Sequence, residues 1–325
     1  MVPLRNLGST GLTVSRIGLG LAALGRPAYI NLGRQDDYPG DRTVATMELR
    51  CHEMLDAAYS AGIRYVDAAR SYGLAESFLA RWLESRGIDR NAIVVGSKWG
   101  YRYVGSWDVH AAVHEKKDLS VTNLRRQLAE SRQLLGDHLR LYQIHSATLE
   151  SGVLEDTVVL DELRRLRSSG VAVGLSVTGP AQADTIRRAM EVRSDGMLLF
   201  QVVQATWNLL EPSAGAALAD AHAEGLGVIV KETVANGRLT DRNTEALLAP
   251  LRDYAASRHT TTDVVALAAA VASPWADIVL SGAVTRDQLA SNLRAPACAE
   301  SLDDLPGVAE PAVDYWAHRQ TLEWM

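Results

Sequence analysis

The sequence predicts a (β/α)8 TIM barrel, and three observations predict it. Short runs of aliphatic and β-branched residues alternate with longer segments of 3.6-residue apolar period, eight times along the chain. Capping residues and glycines fall where helices of that length must start and stop. The main rival, a doubly wound open sheet, lacks its usual mark. Gly18-Leu19-Gly20-Leu21-Ala22-Ala23 has no third glycine of a phosphate-binding G-x-G-x-x-G turn, and no capped helix follows directly. Eight βα units in 325 residues fit one barrel, so a single domain over 1–325 is expected. Within it, 1–15 forms an N-terminal hairpin and 296–325 a C-terminal extension.

The elements follow in order. Residues 4–14 form two extended pieces around Ser9-Thr10-Gly11, a hairpin. The first barrel strand covers 16–20. A polar loop over about 26–43 follows, of a length that usually carries function or mobility. A helix over 48–61 stops at Gly62, and the second strand covers 63–66. A helix over 75–86 precedes a strand over 92–97. Ser120 caps a helix that ends at Leu135-Gly136, and the fourth strand covers 139–144. The alternation continues with a helix over 156–169 and a strand over 171–177, then a helix over 181–192 and a strand over 198–203. A helix over 212–224 and a strand over 226–230 come next. One or two helices over 243–272, a strand over 277–280 and a helix over 286–293 complete the pattern.

Composition excludes several classes. With 47% hydrophobic residues and no low-complexity tract, the chain buries a substantial core. Net charge is −6 with both signs interspersed, so no basic stripe suits nucleic acid and no basic amphipathic helix suits a membrane surface. The most apolar helical stretch, 264–272, ends at Ser273-Pro274 and is too short to cross a bilayer. The N-terminus, Met-Val-Pro-Leu-Arg-Asn, lacks the apolar core of a signal peptide. Two cysteines, Cys51 and Cys298, suit a reducing cytoplasm, and no metal-ligand spacing surrounds them. A cytoplasmic protein with a small-molecule partner is expected, its oligomeric state open.

Four polar residues stand where apolar runs end. Tyr65-Val66-Asp67 leads through Ala-Ala-Arg-Ser to Tyr72, the run 93–97 ends in Lys98, and the run 139–144 ends in His145. Active sites of this barrel lie at the C-terminal strand ends, and neighbouring strands sit ~4.8 Å apart, so the four side chains converge. A tyrosine phenol, with a pKa near ~10, is a poor acid at neutral pH. An ammonium ~4 Å away favours the phenolate by up to ~4 kcal/mol at an effective dielectric near 20, which would lower that pKa toward the working range. Asp67 would hold Lys98 charged and aimed, and His145 would orient a carbonyl oxygen. Together they suit protonation of an oxygen that gains charge as hydride reduces an aldehyde or ketone. Two other readings stay open on these residues: Lys98 as an imine-forming lysine of a lyase, and His145 as a structural histidine.

From Leu4-Arg5-Asn6-Leu7-Gly8-Ser9-Thr10-Gly11 to about Ala295, the sequence resembles the aldo-keto reductase superfamily. Gly62-Ile63-Arg64-Tyr65-Val66-Asp67-Ala68-Ala69-Arg70-Ser71-Tyr72-Gly73 is similar to its strand-two signature. The resemblance implies that Tyr72 is the proton donor, that Lys98 and Asp67 tune it, and that His145 orients the substrate. It implies a nicotinamide dinucleotide along the remaining strand ends, with Gly20 beside it. Ser176 and Gln204 would hold the carboxamide, although Val177 replaces the usual asparagine, and Trp207 would stack on the nicotinamide. Lys231 to Leu239, with Gly237, resembles the loop over the pyrophosphate, with Glu232-Thr233 for the usual Ser-Pro. Gly282, Gln288 and Asn292 match positions around the adenosine. The common 2′-phosphate readers are absent there, and Arg286 is either their substitute or a solvated helix-start charge. NADP(H) is therefore the expected cofactor, with NAD(H) possible.

The aromatic-rich stretch 99–118 marks Trp99 and Trp107 as substrate contacts for a sugar or ring compound, or else packs its own rings. The tail 313–325, with Trp316 and Trp324, either caps the pocket or covers the barrel. The resemblance fits either reaction direction: carbonyl reduction, or oxidation of the matching alcohol or aldose. It also extends to channel-associated members, so a nicotinamide-binding regulatory subunit with little turnover is the alternative.

Overall fold

Near-continuous apolar runs with both faces covered are what parallel strands require, and here they close on themselves. The computed structural model describes residues 2–38, 40–194 and 196–325. In chain order, β1 (Leu4–Asn6) and β2 (Thr13–Ser15) form an antiparallel hairpin before the first barrel strand, β3 (Ile17–Gly20). Then come β4 (Tyr65–Asp67), β5 (Val94–Trp99), a short antiparallel hairpin of β6 (Tyr101–Tyr103) and β7 (Glu115–Lys117), and β8 (Leu139–Ala147). β9 (Ala172–Val177), the two-residue pair β10 (Arg193–Ser194) and β11 (Met197–Leu198), β12 (Val202–Thr206), β13 (Gly227–Lys231) and β14 (Ile278–Ser281) follow. Eight of these close the barrel in the order β12-β13-β14-β3-β4-β5-β8-β9.

The helices sit outside. α1 (Arg34–Asp37) lies in the long loop, and α2 (Val44–Ser60) turns Met47, Cys51, Met54 and Leu55 to the core. α3 (Ala75–Arg86), α4 (Val121–Leu135) and α5 (Thr157–Ser168) come next. Ser120 accepts from Asn123 N at the start of α4, and Asp156 accepts from Val158 N and Val159 N at the start of α5, which is how short polar side chains satisfy orphan helix donors. The rest are α6 (Gln182–Glu191), α7 (Gly215–Ala223), α8 (Ala249–Ser257), α9 (Thr262–Ala272), α10 (Arg286–Asn292), α11 (Ala295–Ala299) and α12 (Ala312–Thr321). Among the described residues no helix is long and apolar enough to cross a membrane.

The hairpin plugs one mouth of the barrel and leaves the other for chemistry. Leu7, Leu12 and Val14 cluster with Val94, Leu141, Ala172, Val202, Ile229 and Ile278, residues that begin or nearly begin their strands. Gly8 makes the plug possible. Its φ is +48°, and a Cβ there would stand 2.2 Å from Gly227 N.

Three sequence expectations change. α2 begins at Val44 rather than at 48, because Thr43 supplies an N-cap to Thr46 N. The sixth barrel strand covers Val202–Thr206 rather than 198–203; Leu198 pairs with Arg193 outside the barrel, while Leu199 and Phe200 pack into the core. A continuous apolar run carries no periodicity to fix its register. The aromatic stretch after β5 folds as a hairpin, β6–β7.

Candidate active site

Asp67 is the last residue of β4, opposite Gly20 of β3 and Gly96 of β5. Lys98 sits in β5 opposite Gln143. The turn after β4 is laced to β5, with Ala68 N donating to Gly96 O at 2.8 Å and Arg70 N to Lys98 O at 3.1 Å; it delivers Tyr72 above the strand ends. His145 lies in an irregularity of β8 between Ile144 and Ala147, where Ser146 adopts φ 58°. Such bulges re-aim a side chain at a strand end.

The four residues meet. The buried Lys98 ammonium pairs closely with Asp67 Oδ1, donates to Ala68 O at 3.0 Å and donates to Tyr72 OH at 3.3 Å. All three of its protons are used. The other Asp67 oxygen accepts from Gln204 Nε2 at 2.8 Å and Tyr65 OH at 3.2 Å. The Tyr72 ring meets His145 edge-on at 5.4 Å and lies 5.1 Å from the Arg26 guanidinium. Ser71 Oγ is 3.4 Å from His145 Nδ1.

The electrostatics reverse one expectation. Burial, and then the Asp67 charge, push the Tyr72 phenol well above its ordinary pKa. The Arg26 guanidinium pulls the other way and is outweighed. Tyr72 is thus a phenol throughout the neutral range. Burial, followed by Lys98 and Arg26, holds His145 well below the usual histidine range, so its imidazole is neutral.

Above these residues opens a cavity of about 550 Å³. It extends from Tyr72, Tyr101 and His145 past Gly20, Gln204 and Lys231 to Gly237, Gly282, Gln288 and Asn292. Its volume is that of a cofactor cleft. Its floor offers the Gln204 carboxamide, and Gly20 and Gly282 leave room for close approach.

Five sequence candidates do not line the cavity. Trp99 is 0% exposed and packs in the core, because it follows inward-facing Lys98 and so faces the helices. Trp107 is half-buried, donates to Arg42 O at 2.8 Å and stacks edge-on against Phe78, away from the cavity. Trp207 follows inward Thr206 and packs edge-on against Trp275 at 5.6 Å, also off the cavity wall. Ser176 is buried and spends its oxygen on Ser146 N at 2.8 Å. Arg286 is exposed and does not line the cavity.

Other residues take those places. Tyr29, Tyr101 and Trp324 are the aromatic walls, so the tail does reach the pocket. Arg26 donates to Glu115 at 2.7 Å and Ser71 O at 3.2 Å, and lies 4.6 Å over the Trp324 ring. Lys231, the last residue of β13, donates to Thr206 Oγ1 at 2.8 Å; burial lowers its pKa to about 8 against the opposing pull of Glu232. Glu232 lines the cavity, where its largely covered side chain is ion-paired with Arg319 of α12. Burial would raise its pKa, but Arg319 and Lys231 override that and hold it at about 2. Only an arginine in an otherwise polar loop hinted at Arg26. Nothing in the sequence tied Arg319 to a residue 87 positions away.

The family profile described as "Aldo/keto reductase family" matches residues 16–304. The chain therefore belongs to the aldo/keto reductase family. Members generally bind NAD(P)H and act on small carbonyl compounds or sugars. Among its relatives, the NADH-specific methylglyoxal reductase of Escherichia coli is 26% identical over 63% of this chain and 59% of its own length. The D-threo-aldose 1-dehydrogenase of a Pseudomonas species is 28% identical over 71% of this chain and 69% of its own. The matches thus span roughly two thirds of these curated relatives. An aldo-keto reductase from Bacillus halodurans, solved in its holo form, shares the fold with a TM-score of 0.70 at 21% identity, covering 99% of this chain and 97% of that one.

Proposed function

We propose that this protein is an NAD(P)-dependent oxidoreductase that interconverts a small aldehyde, ketone or aldose and its alcohol or oxidised form, with Tyr72 as proton donor. The observation that carries this reading is the Lys98 ammonium shared between Asp67 and Tyr72 OH at 3.3 Å, beneath a cavity that Tyr72 and His145 line. Gly20, Gln204, Gly237, Gly282, Gln288 and Asn292 would hold the dinucleotide along that cavity. When bound, the nicotinamide supplies or accepts the hydride. Tyr72 holds the proton that a reduced carbonyl oxygen needs, and the neutral His145 positions that oxygen without adding charge. The fixed Asp67–Lys98 pair supports Tyr72 with dipoles already in place.

An imine mechanism fits poorly, because Lys98 has no proton to spare and does not line the cavity. Arg26, Glu115, Tyr101 and Trp324 offer polar edges beside aromatic faces, which suits a polyhydroxylated or small polar carbonyl. The reading takes the chain as one domain working in the cytoplasm, where the two free thiols stay reduced.

The test is isotopic. With a nicotinamide cofactor deuterated at C4, a panel of aldehydes and aldoses should yield product carrying deuterium on the former carbonyl carbon. Cofactor binding without deuterium transfer to any member of the panel would overturn the reading.

A further inference from the structure

We infer that the far end of the cavity is built for an unphosphorylated ribose, so that this chain takes NAD(H) in preference to NADP(H). The inference rests on the proposed function, which seats the nicotinamide beside Tyr72 and so sends the adenosine to the opposite end, where Gln288 and Asn292 stand.

That end is acidic. Asp241, Asp263 and Asp287 line it. Among the described residues its one lining cation is Arg242, and two of its five N–H groups are already engaged. It donates to Gly33 O at 3.0 Å and ion-pairs with Asp37, whose carboxylate side chain is 3% exposed. The side-chain amides of Gln288 and Asn292 are held by the protein's own acceptors too. Gln288 Nε2 donates to the same Asp37 oxygen at 2.8 Å, while its carbonyl accepts from Val284 N at 2.9 Å. Asn292 Nδ2 donates to Asp263 at 3.0 Å, and its carbonyl accepts from Ser281 Oγ at 2.7 Å. Arg286 is turned to solvent.

A ribose 2′-phosphate brings about −1.5 to −2 charges and three acceptor oxygens. It needs free donors, best a planar guanidinium, and here it meets carboxylates. A 2′-hydroxyl is itself a donor, and a carboxylate is the acceptor it suits.

The experiment is a pair of titrations of the intact protein with NADH and NADPH at one ionic strength, read by quenching of tryptophan fluorescence. NADH should bind at least tenfold more tightly. Equal or tighter binding of NADPH would overturn this inference and leave the proposed hydride chemistry standing; binding of neither would overturn the proposed function itself. Asp287→Arg supplies the second reading. Asp287 is exposed and has no hydrogen bond or ion pair among the described residues, so the fold does not depend on it. The variant should narrow the NADPH-to-NADH ratio of Kd values at least threefold by strengthening NADPH. An unchanged ratio would mean that charge at this end does not set the preference.

Discussion

Lys98 and Asp67 form a buried ion pair beside Tyr72, whose phenol is kept protonated by burial first and by the Asp67 charge second. Asp67→Asn would leave Lys98 as an uncompensated buried charge, a change that typically costs about 3–5 kcal/mol. Urea unfolding should show a loss of that size, and the released ammonium should pull the Tyr72 pKa down. The neighbouring groups also set a pH profile. Below about pH 8 Tyr72 is a phenol, His145 is neutral and Lys231 is charged, so kcat for carbonyl reduction should be flat from pH 6 to 7.5. The first limb should lie near 8, where Lys231 titrates, and should vanish in Lys231→Met. A limb near 6.5 would instead place a titrating histidine at the site. At this scale the sequence was readable wherever an apolar run ended in a polar residue, which covers Asp67, Tyr72, Lys98 and His145. It misled at Trp99 and Trp207, because both follow an inward residue, and one step along a strand reverses the face.

Among the elements, α12 is tied to the barrel rim by a partly buried ion pair, Arg319 to Glu232, and by the buried Tyr315, whose hydroxyl accepts from Asn208 Nδ2 at 3.1 Å. The folded Glu232 pKa of about 2 lies below its ordinary 4.5. A depressed carboxylate stabilises the folded state above its unfolded pKa, and that contribution disappears as pH falls through the folded value. Ionised Glu232, held by Arg319, Lys231 and Thr206 together, therefore contributes about 3 kcal/mol at neutral pH, lost progressively between roughly pH 4.5 and 2. Fluorescence of Trp316 and Trp324 should report α12 loosening in that window. Arg319→Gln should loosen it already at neutral pH and flatten the transition; identical acid curves for the two proteins would contradict the assignment. Helices with clear caps, such as α4 and α5, were legible to within a residue at their starts. The β12 strand was not, since its apolar neighbours Leu199 and Phe200 are equally buried.

For the whole molecule, the hairpin at one mouth and the open rim at the other give the barrel its polarity. Gly8→Ala would force a Cβ against Gly227 N at a left-handed backbone position. Such a residue strains both backbones, and a loss of about 2–4 kcal/mol is expected. Thermal unfolding should reveal it, while the surviving folded fraction keeps parent kinetics because the site lies at the opposite end. Eightfold alternation made the barrel legible. The joining of residues 29–37 to distant parts of the chain was not: Leu32 N donates to Asn236 O at 2.9 Å, Tyr29 N to Met325 O at 3.0 Å, and Asp37 pairs with Arg242. Local periodicity carries no information about such pairings.

The central claim is that Tyr72 supplies the proton for carbonyl reduction. Tyr72→Phe removes only the phenolic oxygen and keeps the ring packed against His145 and Arg26. Nucleotide binding and carbonyl reduction are to be measured on the same sample. The expected Kd lies within about threefold of the parent, and the expected reduction rate is lower by about 10²–10⁴-fold, the usual contribution of a positioned proton donor. A variant that binds the nucleotide and reduces carbonyls at the parent rate would contradict it.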